Sequence, residues 1–83
     1  MAEVINEEVS VNLVYDSKLK IAQPWVVKWR GRIYKIDKTG LHHQVWDGRT
    51  LVHFFSVCSG ETFFKLSFNT VNLHWKLEDI ENI

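Results

Sequence analysis

The sequence predicts an all-β fold, a strongly bent antiparallel sheet or small barrel of five to six strands, with a short C-terminal helical segment as the one possible exception. Three observations carry this. Apolar and polar residues alternate with period two along several short stretches, as half-buried strands require. Glycine next to a polar or charged residue punctuates them, at Arg30-Gly31, Asp47-Gly48 and Ser59-Gly60. Four Trp, five Phe and two Tyr in 83 residues provide large side chains for a core that aliphatic residues alone would leave thin.

Taken in order, residues 1–7 read as a flexible tail and residues 8–83 as a single small domain. Val9, Val11, Leu13 and Tyr15 alternate with Ser10, Asn12 and Val14 until Asp16-Ser17-Lys18 closes the strand. Pro24 has no backbone donor and is expected at the start of the next strand, not within one. Trp25 to Trp29 and Arg32 to Ile36 form a first hairpin. After a turn at Lys38-Thr39-Gly40 the stretch Leu41 to Trp46 is undetermined, and a turn at Asp47-Gly48 leads to a second hairpin, Leu51 to Phe68. Asn69 to Asn72 is a last turn, and Leu73, Trp75 and Leu77 then alternate as a final strand. Ile80 and Ile83 are three apart, so 77–83 also suits a short helix.

Turn position sets register. With Arg30-Gly31 as a two-residue turn, Trp29 faces Arg32, Val27 faces Tyr34 and Trp25 faces Ile36, all on one face; Val26, Lys28, Ile33 and Lys35 share the other. The same count from Ser59-Gly60 sets Phe55 against Phe64, His53 against Leu66 and Leu51 against Phe68. The reverse face then holds Val52, Phe54, Ser56, Phe63 and Lys65. His53 falls among the aromatic residues and is expected to be half buried and in need of a hydrogen-bond partner.

Composition narrows the function. Ten basic and ten acidic residues balance, so no net field draws the chain to nucleic acid or to an anionic membrane, although seven of the ten bases crowd between Lys18 and Lys38. The single cysteine, Cys58, excludes an internal disulfide. No apolar run reaches the roughly 18 residues of a membrane span, and the acidic start has no basic region leading into an apolar stretch. A cytoplasmic setting without membrane association is expected.

No pattern marks a reaction. The four histidines lack metal-ligand spacing, His53 and Cys58 fall on opposite faces of one strand, and His42 and His43 point apart in extended chain. Cys58 has no base placed to activate it, Asp37 and Asp47 flank turns, and glycines occur singly, so no phosphate-cradling loop is present. The reading is of a chain with no catalytic residue, no metal site and no cofactor.

Two surfaces remain as candidates. Val52, Phe54 and Phe63 are apolar on a face where a two-layer fold expects polar residues, so they are either covered by the first strand or the C-terminal segment, or exposed for a protein partner or self-association. Lys28, Arg30, Arg32 and Lys35, interleaved with Trp25, Trp29 and Tyr34, have the look of a single-stranded nucleic-acid surface, but the register sends the aromatics to the core face and two of the lysines to the other. Arg32, opposite Trp29, is expected to make a cation–π contact.

The string Trp29-Arg-Gly-Arg-Ile-Tyr34, the later Phe64-Lys-Leu66 with Phe68, and the closing Trp75-Lys-Leu77 resemble a family of small bacterial domains of unknown function. Some of these lie near translesion DNA polymerases. The resemblance covers residues 9–80, and the chain departs from the family pattern in having His42-His43 where a tryptophan is usual. It implies an all-β fold and a bacterial, cytoplasmic setting, and carries over no catalytic or ligand residue. Together these readings predict a non-enzymatic protein-interaction module, the alternative being a weak single-stranded nucleic-acid-binding domain.

Overall fold

A computed structural model describes residues 2–82. The chain is all-β, with eight antiparallel strands: β1 Ala2–Glu8, β2 Ser10–Asp16, β3 Ile21–Trp29, β4 Arg32–Lys35, β5 Lys38–Asp47, β6 Thr50–Ser59, β7 Thr62–Asn69 and β8 Trp75–Asn82. They form a five-stranded sheet in the order β1-β8-β7-β6-β5 and a three-stranded sheet in the order β2-β3-β4. The chain leaves the larger sheet at one edge, from β1 to β2, and re-enters it at the other, from β4 to β5. Val9 N–H donates to the Trp75 carbonyl at 3.1 Å at the first corner, and Asp37 N–H to that of Cys58 at 2.8 Å at the second. The two ladders never join, so this is a pair of facing sheets and not a closed barrel.

The core lies between the sheets. Val27 from the small sheet meets Phe55, Val57, Phe64, Leu66 and Leu77 from the large one, all at 5% exposure or less. Tyr34 packs its edge on Phe64 with ring centroids 5.0 Å apart. Burying each of these side chains contributes about 1.5–3 kcal/mol.

Backbone conformation follows turn chemistry. Arg30 and Gly31 both have positive φ, 51° and 76°, as a type I′ turn demands, and the register is the expected one, with Val27 opposite Tyr34 and Trp29 opposite Arg32. In the second hairpin Ser59 pairs with Thr62, leaving Gly60-Glu61 as the turn and setting Phe55 against Leu66 and His53 against Phe68. The positive φ of Gly60, 61°, belongs at the first turn position. Pairing is therefore shifted by two residues from expectation, and because side chains alternate with period two, the faces are unchanged. Gly48 repeats the device between β5 and β6.

Several expectations are corrected, the first being strand number: eight strands among the described residues where five to six were expected. Residues 2–7, read as part of a tail, belong with Glu8 to β1, which pairs with β8 on the edge of the large sheet; Met1 lies outside the described residues. The turn expected at Lys38-Thr39-Gly40 is instead the start of β5, which also takes in the undetermined stretch from Leu41 to Trp46. Trp25 does not share the core face: two residues of β3 oppose one of β2 between the pairs Asn12–Val26 and Leu13–Pro24, and this bulge turns Pro24 inward and leaves Trp25 56% exposed. It also accommodates Pro24 inside the middle strand of a sheet, where a bulge makes its missing N–H harmless. Finally, among the described residues the C-terminal segment is strand and not helix. A bulge in β8, between the pairs Lys65–Asp79 and Leu66–Leu77, brings Leu77 and Ile80 to the same face, so spacing by three arises within a strand; Ile83 lies outside the described residues.

Candidate binding surfaces

Between the sheets, beyond the β3 bulge, the layers splay into a cleft of about 380 Å³. Leu13, Tyr15, Ile21 and Ala22 line one wall, and Phe55, Phe68 and Trp75 the other. The latter three stack in series, Phe55 to Trp75 at 5.6 Å and Phe68 to Trp75 at 4.7 Å between centroids. His42 lies parallel on Phe55 at 4.3 Å and its Nε2 is 2.8 Å from Nδ1 of His53. The partner that His53 needed is thus a histidine across the β5–β6 pair, with one ring nitrogen donating and the other accepting. Burial, then the charges of His53 and His43, hold the His42 imidazole below the ordinary histidine range. Lys20 sits in the same lining.

The outer face of the large sheet is uncovered. Neither strand expected to cover it lies across it: the strand read as first is β2, in the other layer, and the C-terminal strand β8 lies within the large sheet itself, between β1 and β7. Val52 and Phe54 line a trough of about 460 Å³ with Val45, Lys76 and Glu78. Its floor contains Ser67, only 7% exposed, whose hydroxyl donates to Glu78 Oε2 at 2.8 Å. His43 stacks on Phe54 at 5.2 Å and Lys65 Nζ lies 5.4 Å from the same ring. Phe63 shares the face but opens into a neighbouring hollow with Lys65 and Asp79. Of the three expected partner residues the structure brings two together.

Along one side this trough ends at β5, the last strand of the sheet. The two-residue turn makes Asp47 and Thr50 a hydrogen-bonded pair. Alternation then sends the amides and carbonyls of Val45 and His43 toward β6, and those of Trp46, Gln44 and His42 outward with no strand beside them among the described residues. Val45 and Trp46 on this edge are 44% and 68% exposed. The stretch gave no clear period in sequence because His42, Gln44 and Trp46 mix polar and aromatic residues on one face; the Asp47-Gly48 turn was the signal available.

The four basic candidates do not form one surface. Lys28 and Lys35 project from the outer face of the small sheet, whereas Arg30 is tied to Glu7, its Nε donating to Oε1 at 3.3 Å. Arg30, not Arg32, covers the Trp29 ring, at 4.5 Å. The same Glu7 oxygen accepts from Trp29 Nε1 at 3.1 Å. The Arg30 and Trp29 hydrogen bonds hold the Glu7 carboxyl below the usual carboxylate range.

Neither a family model, nor a curated protein, nor a solved structure matches the chain. Any functional reading therefore rests on these surfaces. Among the described residues, no three His, Cys, Asp or Glu side chains are grouped to hold a metal ion.

Proposed function

We propose that this chain is a non-enzymatic protein-interaction module that captures an extended segment of a partner by strand addition to β5. The observation that supports it most is the outward row of backbone groups on His42, Gln44 and Trp46, at an edge carrying exposed Val45 and Trp46. Most edges of this kind are blunted by lysine, proline or a bulge, because an open ladder is a template for another strand. Here the bulge lies at Gly40-Leu41, between the pairs Thr39–Val57 and His42–Phe55, and residues 42–47 run in unbroken register. A strand added there extends the backbone ladder and places alternate side chains over the Val52–Phe54 trough, the combination by which strand-addition domains obtain affinity and selectivity.

A display selection of extended peptides on the folded chain tests this. Enriched peptides should alternate apolar and polar residues, and should fail to bind Gln44→Pro. That variant removes an outward N–H and leaves the β6 ladder intact. Peptides held equally by both proteins contradict the reading, and pairing of β5 with a second copy would appear as peptide-sensitive dimers.

A second reading, a weak single-stranded nucleic-acid binder, draws support from one observation, the exposure of Trp25 on the sheet that carries Lys28 and Lys35. The ion pair that occupies Arg30 weakens it.

A further inference from the structure

The cleft between the sheets lies on the inner side of the β5 edge, sharing with it only the His42 residue, whose side chain lines the cleft, and it has its own chemistry. Both walls are apolar and face one another without meeting: Leu13, Tyr15 and Ile21 remain 43%, 64% and 45% exposed although the ordinary course of a two-layer fold would close them on Phe68 and Trp75. Splaying keeps open a space of about 380 Å³, within the range of small-molecule sites, which are concave, mostly apolar and supplied with a few convergent polar groups. The polar groups here are of one kind. Lys20, His42 and His53 are bases, Tyr15 is a phenol, and among the described residues no carboxylate lines the cleft. In a chain with equal numbers of acidic and basic residues, that segregation sets the charge of the occupant.

We infer that the cleft binds a small amphipathic anion, a flat apolar body with one carboxylate or comparable acid group. The body stacks on the Phe55–Trp75–Phe68 row, where an aromatic ring finds the offset and tilted partners it prefers. The acid group faces Lys20 and the histidine pair, with the ammonium and a ring N–H as donors, and hydrogen bonds between charged partners are the stronger kind. The three-ring row is already ordered by packing on β6, β7 and β8, so binding costs little rearrangement on that wall.

Naphthalene-2-carboxylate and the neutral 2-naphthylmethanol, titrated separately into the full chain and followed by amide and indole NMR shifts, test this. The carboxylate should bind with a dissociation constant on the order of a millimolar or tighter, as expected for a ligand of this size. It should move the signals of Ala22, His53, Phe55 and the Trp75 indole, and bind at least several-fold more tightly than the alcohol. Lys20→Gln, at an exposed turn position, should weaken carboxylate binding several-fold and so narrow that preference, with a smaller effect on the alcohol; a preference unchanged in this variant overturns the role of Lys20. Ala22→Phe should fill the cleft and block both ligands. Equal affinity for the two ligands overturns the assignment of an anion. Shifts confined to the outer trough, or the absence of shifts, overturn the site itself; neither outcome bears on strand addition at β5, which lies on backbone groups these ligands do not contact.

Discussion

His42 and His53 face one another across the β5–β6 pair with Nε2 and Nδ1 2.8 Å apart, and both rings belong to the stack that begins at Phe55. Each imidazole is the other's hydrogen-bond partner. His53 is the more enclosed, with Phe55 and Phe68 beside it, and His42 is exposed on its outer side. His53→Ala should therefore destabilise by about 1–3 kcal/mol, and His42→Ala by less. The double variant should lose less than the sum, because either single change already breaks the shared bond. Urea midpoints of the three variants measure this.

The pair also sets a pH dependence. A histidine held below its ordinary range binds fewer protons when folded than when unfolded, so its contribution to stability is present above the unfolded value, near 6.5, and is lost as pH falls through the folded value. Two protonated rings would present only donors to one another. Thermal midpoints of the wild-type chain should fall from pH 7.5 to pH 5 by more than those of His42→Gln. Glu7 acts lower: its carboxyl is depressed by Arg30 and Trp29, so the stability it confers is lost as pH drops below the usual carboxylate range toward its folded value. A melting curve that is flat from pH 7.5 to 5 contradicts the histidine account.

Phe54→Ser distinguishes a lining residue from a core residue. Phe54 lies in an uncovered trough and touches His43 and Lys65, so its loss should leave the urea midpoint close to wild type while removing peptide binding. Phe64→Ala, on the opposite face of the next strand and 1% exposed, should cost about 3–5 kcal/mol. Equal stability losses for both variants would show that the outer face is covered.

Any affinity for single-stranded oligonucleotides should be weak and fade steeply with salt, since Lys28 and Lys35 offer phosphate contacts and Arg30 is already paired. Filter binding at two salt concentrations measures it. Tight, salt-insensitive binding lost on Trp25→Ala without unfolding would instead establish a stacking platform.

Much of the architecture was legible where a glycine fixed a turn and alternation fixed a face. The Val26–Lys35 hairpin shows this, because Gly31 supplies the positive φ that a two-residue turn needs and the register follows from it. The second hairpin could slide by two residues without exchanging its faces, so Val52, Phe54 and Phe63 kept their outward phase although every partner changed. The bulges at Trp25 and Glu78 each reverse alternation midway through a strand; Pro24, a residue confined to edges, strand starts and bulges, was compatible with the first, and no residue type announces the second. The edge role of β5 was hidden too, since it depends on which strands lie beside it and not on its own residues.

Strand addition at β5 is tested most directly by amide hydrogen exchange, measured with and without a selected peptide. In the free chain the amides of His43, Val45 and Asp47 should be protected by β6, and those of His42, Gln44 and Trp46 should exchange rapidly. Bound peptide should protect His42, Gln44 and Trp46 as well, and should fail to do so in Gln44→Pro. Peptide bound at saturation while these three amides still exchange as in the free chain would contradict the account.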